Sequence, residues 1–107
     1  MEYTKEIINA VWEKAKIVPN NSDQFRQDYA GAWIKRNEYN ENSDFGWKIV
    51  VLKPQINGGS EDDIDNLLPF HWKNASEKGT KFPEWDSVVS SEGVVNKSNK
   101  KSWIYIE

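Results

Sequence analysis

The spacing of apolar residues near the N-terminus predicts a helix over residues 4–16. Its apolar positions recur at the helical period: Ile7, Ile8, Val11, Trp12 and Ala15. Thr4 is placed to cap this helix, and Glu6 lies near its positive end, where an acidic side chain is favoured. The first element of the chain is therefore expected to be an amphipathic helix with one face in the core.

The next part of the chain is predicted to contain a short helix and then two strands. Ser22 is placed to cap the helix, which contains Phe25 and Tyr29. The strands are residues 32–36 (AWIKR) and residues 46–52 (GWKIVVL), joined by a polar loop. The second strand is apolar on both faces, which predicts either burial on both sides or an apolar strip for a partner. Within it, Ile49 and Val51 are interpreted as core, and the placement of Val50 and Leu52 is left open.

The second half of the chain is predicted to be a loop, a helix and a strand pair. Residues 53–65 are rich in turn residues and acidic side chains. The helix is predicted from Asn66 or Leu67 to Lys78, with Pro69 in its first turn and Gly79 at its end. Two later apolar runs, SVV and SWIYI, are predicted to pair across a turn near Glu92-Gly93. The expected fold class is α+β, in one domain over residues 1–107.

Composition narrows the range of functions. The chain has 107 residues with six Trp, four Tyr and four Phe, so a small aromatic core is feasible although only 37% of residues are hydrophobic. The net charge of −3 does not suggest a generic nucleic-acid binder, which usually carries a basic surplus. Residues 37–66 hold two basic and seven acidic side chains, so the middle of the chain is an acidic patch.

The cellular setting is expected to be the cytoplasm. The chain contains no cysteine, which excludes disulfides and thiolate zinc sites and fits a reducing compartment. No apolar stretch is long enough to span a bilayer, and the first residues lack a signal-peptide pattern. We therefore expect a soluble protein without a membrane partner.

The order of motifs between about Gly31 and Gly79 resembles that of small bacterial and phage HNH endonuclease-like proteins. That family carries a ββα-metal motif of two strands, a glycine loop and a short helix. The segments that carry the resemblance are GAWIKRNEY, SDFGWKI, P…GG, NLLPFHW and N…KG. No single segment is specific, and the likeness depends on their order and spacing together.

The resemblance implies a degenerate active site. The family's metal-binding Asp and general-base His correspond to Val50 and Val51, and its middle Asn or His corresponds to Asn66. Its last Asn or His, counted back from Lys78, corresponds to Ala75, with Asn74 the next candidate. Valine supplies neither a ligand nor a base, and Asn66 alone cannot hold Mg²⁺ against its hydration shell. We expect no catalytic residue, no metal and no cofactor.

Other polar and aromatic residues have competing interpretations. His71 is a replacement base or, as we favour, a packed histidine. The acidic run Glu61, Asp62, Asp63 and Asp65 matches no calcium loop and is either a solvated loop or a contact for a basic partner. Trp12, Trp33 and Trp47 are interpreted as core, whereas Trp85, in a predicted loop, is either core or a partner contact. Lys73 and Lys78 are either a solvated helix face or partner contacts.

Three function classes remain open. The favoured one is an inactive HNH-like binding protein, carried by a phage or mobile element, that inhibits or regulates a nucleic-acid-handling protein, as anti-CRISPR proteins do. Its expected partner is a protein with a basic surface, such as a nuclease or a ribonucleoprotein effector. The second is an active nuclease with rearranged ligands, such as Asn74, His71 and a loop carboxylate. The third is a DNA- or RNA-binding module without catalysis, which would lose affinity steeply with salt.

Overall fold

The computed structural model describes residues 2–19 and 23–106, and these residues form an α+β fold. The helices and strands, in chain order, are α1 (Lys5–Trp12), β1 (Phe25–Gln27), β2 (Trp33–Lys35), β3 (Trp47–Val51), β4 (Leu67–His71), α2 (Trp72–Lys78), β5 (Glu84–Glu92) and β6 (Val95–Ile104). The strands form three antiparallel pairs, β1 with β2, β3 with β4 and β5 with β6. The predicted mixed α+β class is confirmed.

The first helix begins as predicted but ends earlier. The Thr4 side chain accepts a hydrogen bond from the backbone N–H of Ile7, so the predicted cap is confirmed. The helix stops at Trp12 because the chain then turns toward β1, where Lys16 and Gln27 exchange two backbone hydrogen bonds. A tertiary contact thus overrides the helical pattern of residues 13–16.

The predicted second helix is wrong. Ser22, its proposed cap, lies outside the described residues, and Phe25–Gln27 is a strand whose central residue Arg26 faces Ile34 of β2. Arg26 is buried while its two neighbours are half-buried, which is the alternation of a strand. Pairing with β2 decides the conformation of this short segment, as neighbouring chain often does for segments of weak propensity.

The helix predicted from residue 66 or 67 is half wrong. Leu67–His71 is strand β4, and the helix begins only at Trp72 and ends, as predicted, before Gly79. Pro69 is tolerated in β4 because it faces Ile49 in a pair without ladder hydrogen bonds. Hydrogen-bonded and non-hydrogen-bonded residue pairs alternate along an antiparallel ladder, and the Leu52 N–H donates to the Asn66 carbonyl. Counted from that hydrogen-bonded pair, the pair of Ile49 and Pro69 is not hydrogen-bonded, so β4 loses no hydrogen bond through the missing N–H of Pro69.

The core lies on both faces of β3. One cluster contains the buried residues Val11, Trp12, Ala15, Ile34, Trp47 and Leu67. The other contains Val50, Leu52, Phe70 and Trp85. Alternation along β3 sends Val50 and Leu52 into the second cluster, while Ile49 and Val51 pack, half-buried, on the first. The strand is therefore buried on both sides, and the two residues whose placement was open are the more deeply buried pair.

The C-terminal strand pair is confirmed and longer than predicted. β5 and β6 form a hairpin whose turn includes Gly93, with a backbone φ of 62° that suits glycine. The inner face of β5 covers α2, and β6 lies on the outside with mostly exposed side chains. Within the described ranges, neither helix is long and apolar enough to span a membrane.

Candidate functional site

A cleft between β3 and α2 lies where the resemblance placed an active site. It has a volume of about 540 Å³ and brings Val50, Val51 and Ala75 together from the strand and the helix. The described residues that line it are Asn42, Lys48, Ile49, Val50, Val51, Pro54, Trp72, Ala75, Ser76, Gly79 and Thr80. Three of the four positions predicted to form the degenerate site therefore share one cavity.

The floor of this cleft is hydrocarbon. Val50 is only 7% exposed and belongs to the second core cluster, against which Ala75 also packs. A divalent cation requires oxygen or nitrogen ligands, and a general base requires a titratable group. Val50 and Ala75 offer neither, so the floor of the cleft supplies no metal ligand and no base.

Asn66, the fourth predicted position, holds the glycine loop together. Its side-chain amide donates to the carbonyls of Lys53 and Ser60, at 2.9 and 3.0 Å, and its oxygen accepts from the Lys53 N–H at 2.9 Å. Gly59 passes so close that a Cβ there would overlap the Lys53 carbonyl oxygen. The amide of Asn66 thus fastens both ends of the loop between β3 and β4.

His71 is a packed residue at the start of α2. It is 2% exposed, its Nδ1 accepts from the backbone N–H of Lys73, and its Nε2 lies 2.9 Å from the carbonyl oxygen of Asp44. These contacts select the neutral tautomer with the proton on Nε2. Burial lowers the pKa of His71, and the Asp44 carbonyl and the Asp28 carboxylate only partly oppose that effect. Both ring nitrogens are occupied, so the replacement-base interpretation lacks a free atom.

Asp28 is the centre of a buried polar network. Oδ1 accepts from the N–H groups of Ala30 and Ala32, and Oδ2 accepts from the His71 N–H and the Asn74 amide. Burial raises the pKa of Asp28, whereas the hydrogen bonds from Asn74, His71 and Ala32 favour its charged form. The network ties the turn before β2 to the junction of β4 and α2. Sequence reasoning missed this residue; the signal that could have indicated it is an Asp three residues before Gly31, because Asp side chains often accept hydrogen bonds from the backbone of a following turn.

Asn74 carries the same network to β5. Its Nδ2 donates to Asp28 and to the Val89 carbonyl, and its Oδ1 accepts from the N–H groups of Val88 and Val89. The residue is fully buried, and these four hydrogen bonds use its whole donor and acceptor capacity. Asn74 therefore has no atom left for the ligand role considered in the rearranged-site hypothesis.

Two residues proposed as partner contacts are instead buried. Lys78 is 0% exposed and Trp85 3% exposed, because α2 packs its last turn against β3 and β5. The Lys78 ammonium donates to the carbonyls of Leu52 and Lys81, both at 2.9 Å, and lies 5.5 Å from the Trp85 ring centroid. With no carboxylate in these contacts, burial lowers the pKa of Lys78 to about 8. The partner-contact predictions for both residues are therefore wrong.

The acidic run between the glycine loop and β4, Glu61, Asp62, Asp63 and Asp65, keeps its exposed position. Asp62, Asp63 and Asp65 are exposed and Glu61 is half-buried, and none forms an ion pair with another described residue. The backbone beneath is anchored, since Lys14 donates to the carbonyls of Ile64 and Leu67, at 2.7 and 2.6 Å, and the Tyr3 hydroxyl donates to the Glu61 carbonyl. This acidic loop presents unpaired carboxylates from a fixed backbone.

The comparisons with known proteins are negative. No family model, curated protein or solved structure matches this chain. Within residues 2–19 and 23–106, no three His, Asp or Glu side chains come together where they could hold a metal ion. Lys73, the remaining predicted partner contact, is exposed, and its ammonium lies 5.5 Å from the Trp72 ring centroid.

Proposed function

We propose that this chain is a catalytically inactive HNH-like protein that acts by binding a nucleic-acid-handling protein as a stoichiometric inhibitor or regulator. The observation that carries the proposal is the hydrocarbon floor formed by Val50 and Ala75 between β3 and α2. The two strands expected to form the motif, β2 and β3, do not pair with each other; the ββα order in this chain is instead the antiparallel pair β3 and β4, with the glycine loop between them, followed directly by α2. The scaffold is kept while the positions for ligand and base hold apolar side chains.

The acidic loop supports binding to a basic protein surface. Its exposed carboxylates form no ion pair with a described residue, and Lys14, which attracts Asp63 and Asp65 from a longer distance, is bound to the Ile64 and Leu67 carbonyls, so a partner's lysines and arginines would not have to displace an existing ion pair. Because the loop backbone is held by Asn66, Lys14 and Tyr3, little conformational entropy would be lost on binding. A nuclease or ribonucleoprotein effector offers such a basic surface in its nucleic-acid channel, which is the type of target that anti-CRISPR proteins occupy.

Two experiments test this function. Plasmid DNA incubated with the protein and Mg²⁺, Mn²⁺ or Ni²⁺ should remain uncut, whereas nicking activity that follows the protein through two different columns would refute inactivity. Affinity purification from the native host should return one basic protein in stoichiometric amount. Recovery of nucleic acid without a protein would favour the third hypothesis instead.

A matched pair of double variants isolates the acidic loop. Asp62→Asn with Asp65→Asn removes two exposed charges from the loop, and Glu41→Gln with Glu84→Gln removes two exposed charges elsewhere. Only the loop variant should weaken the complex, by about tenfold, and the difference should shrink at high salt. Equal effects of both variants would mean that net charge, rather than the loop, attracts the partner.

A further inference from the structure

The cleft between β3 and α2 contains a half-buried lysine without a carboxylate partner. Lys48 lies two residues before Val50 and therefore on the same face of β3, opposite Phe70 in the strand register. It lines the cleft and forms no ion pair with any residue in the described ranges. A cation in this position is an unmatched charge beside an apolar surface.

Apart from Lys48, the cleft has an apolar floor and a rim of uncharged polar residues. Val50, Pro54 and Ala75 are apolar lining residues, Trp72 lines the cleft from α2, and Ile49 and Val51 contribute to the lining although their side chains pack on the first core cluster. The rim carries the side chains of Asn42, Ser76 and Thr80, all exposed. No Asp or Glu is among the described lining residues, so the charge of Lys48 dominates the cleft.

We infer that this cleft binds an apolar side chain with a carboxylate next to it, presented by a segment of the partner protein. The apolar group would cover the floor, and the carboxylate would pair with Lys48 in a partly desolvated position, where charge-assisted hydrogen bonds are strong. The volume of about 540 Å³ falls in the range of pockets that hold small ligands. This inference rests on the proposed function, because it names what the partner places in the cleft.

A nucleic-acid strand fits the cleft less well than an acidic and apolar protein segment. Strand binding depends on several phosphate contacts along a basic groove, and Lys48 is the only cation among the described lining residues. The loop that contributes Pro54 to the cleft also carries the exposed carboxylates of Asp62, Asp63 and Asp65. A phosphate chain leaving the cleft in that direction would meet like charge, whereas a partner protein can match both signs and gain a fixed orientation.

The test uses the full chain and small probes, so it does not depend on finding the partner. Backbone amide NMR spectra are recorded during titration with 3-phenylpropionate, 3-phenylpropanol, 3-phenylpropylamine and thymidine monophosphate. We expect 3-phenylpropionate to bind with a millimolar Kd and to change the amide chemical shifts of Val50, Ala75 and Thr80. The alcohol should bind about tenfold more weakly, and the amine should not bind.

Variants identify the charged group. Lys48→Met should weaken 3-phenylpropionate binding about tenfold, to the level of the alcohol, whereas Lys48→Arg should stay within about threefold of the parent. Lys5→Met, an exposed change on α1, should leave binding unaltered. Equal binding of the amine, tighter binding of the nucleotide, absence of cleft shifts or indifference to Lys48→Met would each overturn the inference. These outcomes leave the plasmid and pull-down tests of the proposed function unaffected.

Discussion

Asn74→Ala removes a side chain whose four hydrogen bonds join α2, β5 and Asp28. The substitution leaves Val88 and Val89 without acceptors for their N–H groups and takes one donor from the Asp28 carboxylate. The site is fully buried, so water cannot easily replace the lost partners. Each buried group without a partner costs about 1–3 kcal/mol, and the small cavity adds to this. We expect a loss of about 3–5 kcal/mol in the free energy of unfolding, a large share of the about 5–15 kcal/mol typical of a domain.

The measurement is urea denaturation of the metal-free protein followed by circular dichroism. Ser76→Ala, at an exposed position on the same helix, should change the free energy of unfolding by less than about 0.5 kcal/mol. If Asn74 were instead a metal ligand with free capacity, its loss would hardly affect the metal-free protein. A destabilisation below about 1 kcal/mol would therefore refute the structural role of this network.

Three further predictions concern buried or constrained groups. Lys78 has a folded-state pKa of about 8 against 10.5 in the unfolded chain, so the unfolded chain binds more protons between these values. The free energy of unfolding should therefore rise with pH across that window by about 3 kcal/mol. Lys78→Met should abolish this rise, and denaturation curves that stay parallel for parent and variant would contradict the burial of the ammonium. Gly59→Ala should lower the free energy of unfolding by about 3 kcal/mol, because the added Cβ would overlap the Lys53 carbonyl. Gly58→Ala, where the Cβ meets open space but the backbone has a positive φ, should lower it by about 1 kcal/mol. Equal losses for the two variants in urea denaturation would argue against the close approach at Gly59. Burial lowers the pKa of His71, so ¹⁵N NMR at pH 7 should show its neutral tautomer with the proton on Nε2. The free energy of unfolding should fall as the pH falls below about 6.5, because the unfolded histidine binds a proton before the folded one does. An imidazolium at pH 7 in the folded protein would contradict this.

The sequence predicted the elements whose patterns are local. The apolar run of β3, the cap and apolar face of α1, and the hairpin turn near Gly93 each carry their signal within a few residues. Trp12, Trp33 and Trp47 are in the core as interpreted. These features follow from side-chain periodicity and turn chemistry, which do not depend on the rest of the fold.

The elements that were missed are set by contacts distant in sequence. Leu67–His71 forms a strand because β3 offers it a partner, although Pro69 and its neighbours read as the first turn of a helix. β1 likewise exists only through its pairing with β2. Short segments with weak intrinsic preference take the conformation that completes a neighbour's hydrogen bonds.

The polar interior was the part of the candidate site that the sequence least revealed. Lys78 and Asn74 lie four residues apart on α2 and both point inward, although lysine is rarely fully buried. Charge alone therefore suggested a solvated helix face. The shared location of Val50 and Ala75 was easier to predict, because the resemblance placed them in one site and both line the cleft between β3 and α2.

We propose that the cleft between β3 and α2 corresponds to a ββα metal site without its functional groups. Its most direct test restores them with Val50→Asp, Val51→His and Ala75→Asn in one variant, with Val50→Asn, Val51→Ala and Ala75→Ser as the control. The quantity measured is the unfolding temperature with and without Mn²⁺. When the Mn²⁺ concentration is about 100 times its Kd, binding adds about 2.7 kcal/mol to the free energy of unfolding. This raises the unfolding temperature by roughly 10 °C for a chain of this size. We expect that increase for the restored variant and none for the control or the parent protein. A folded restored variant whose unfolding temperature does not change with Mn²⁺ would contradict the proposal.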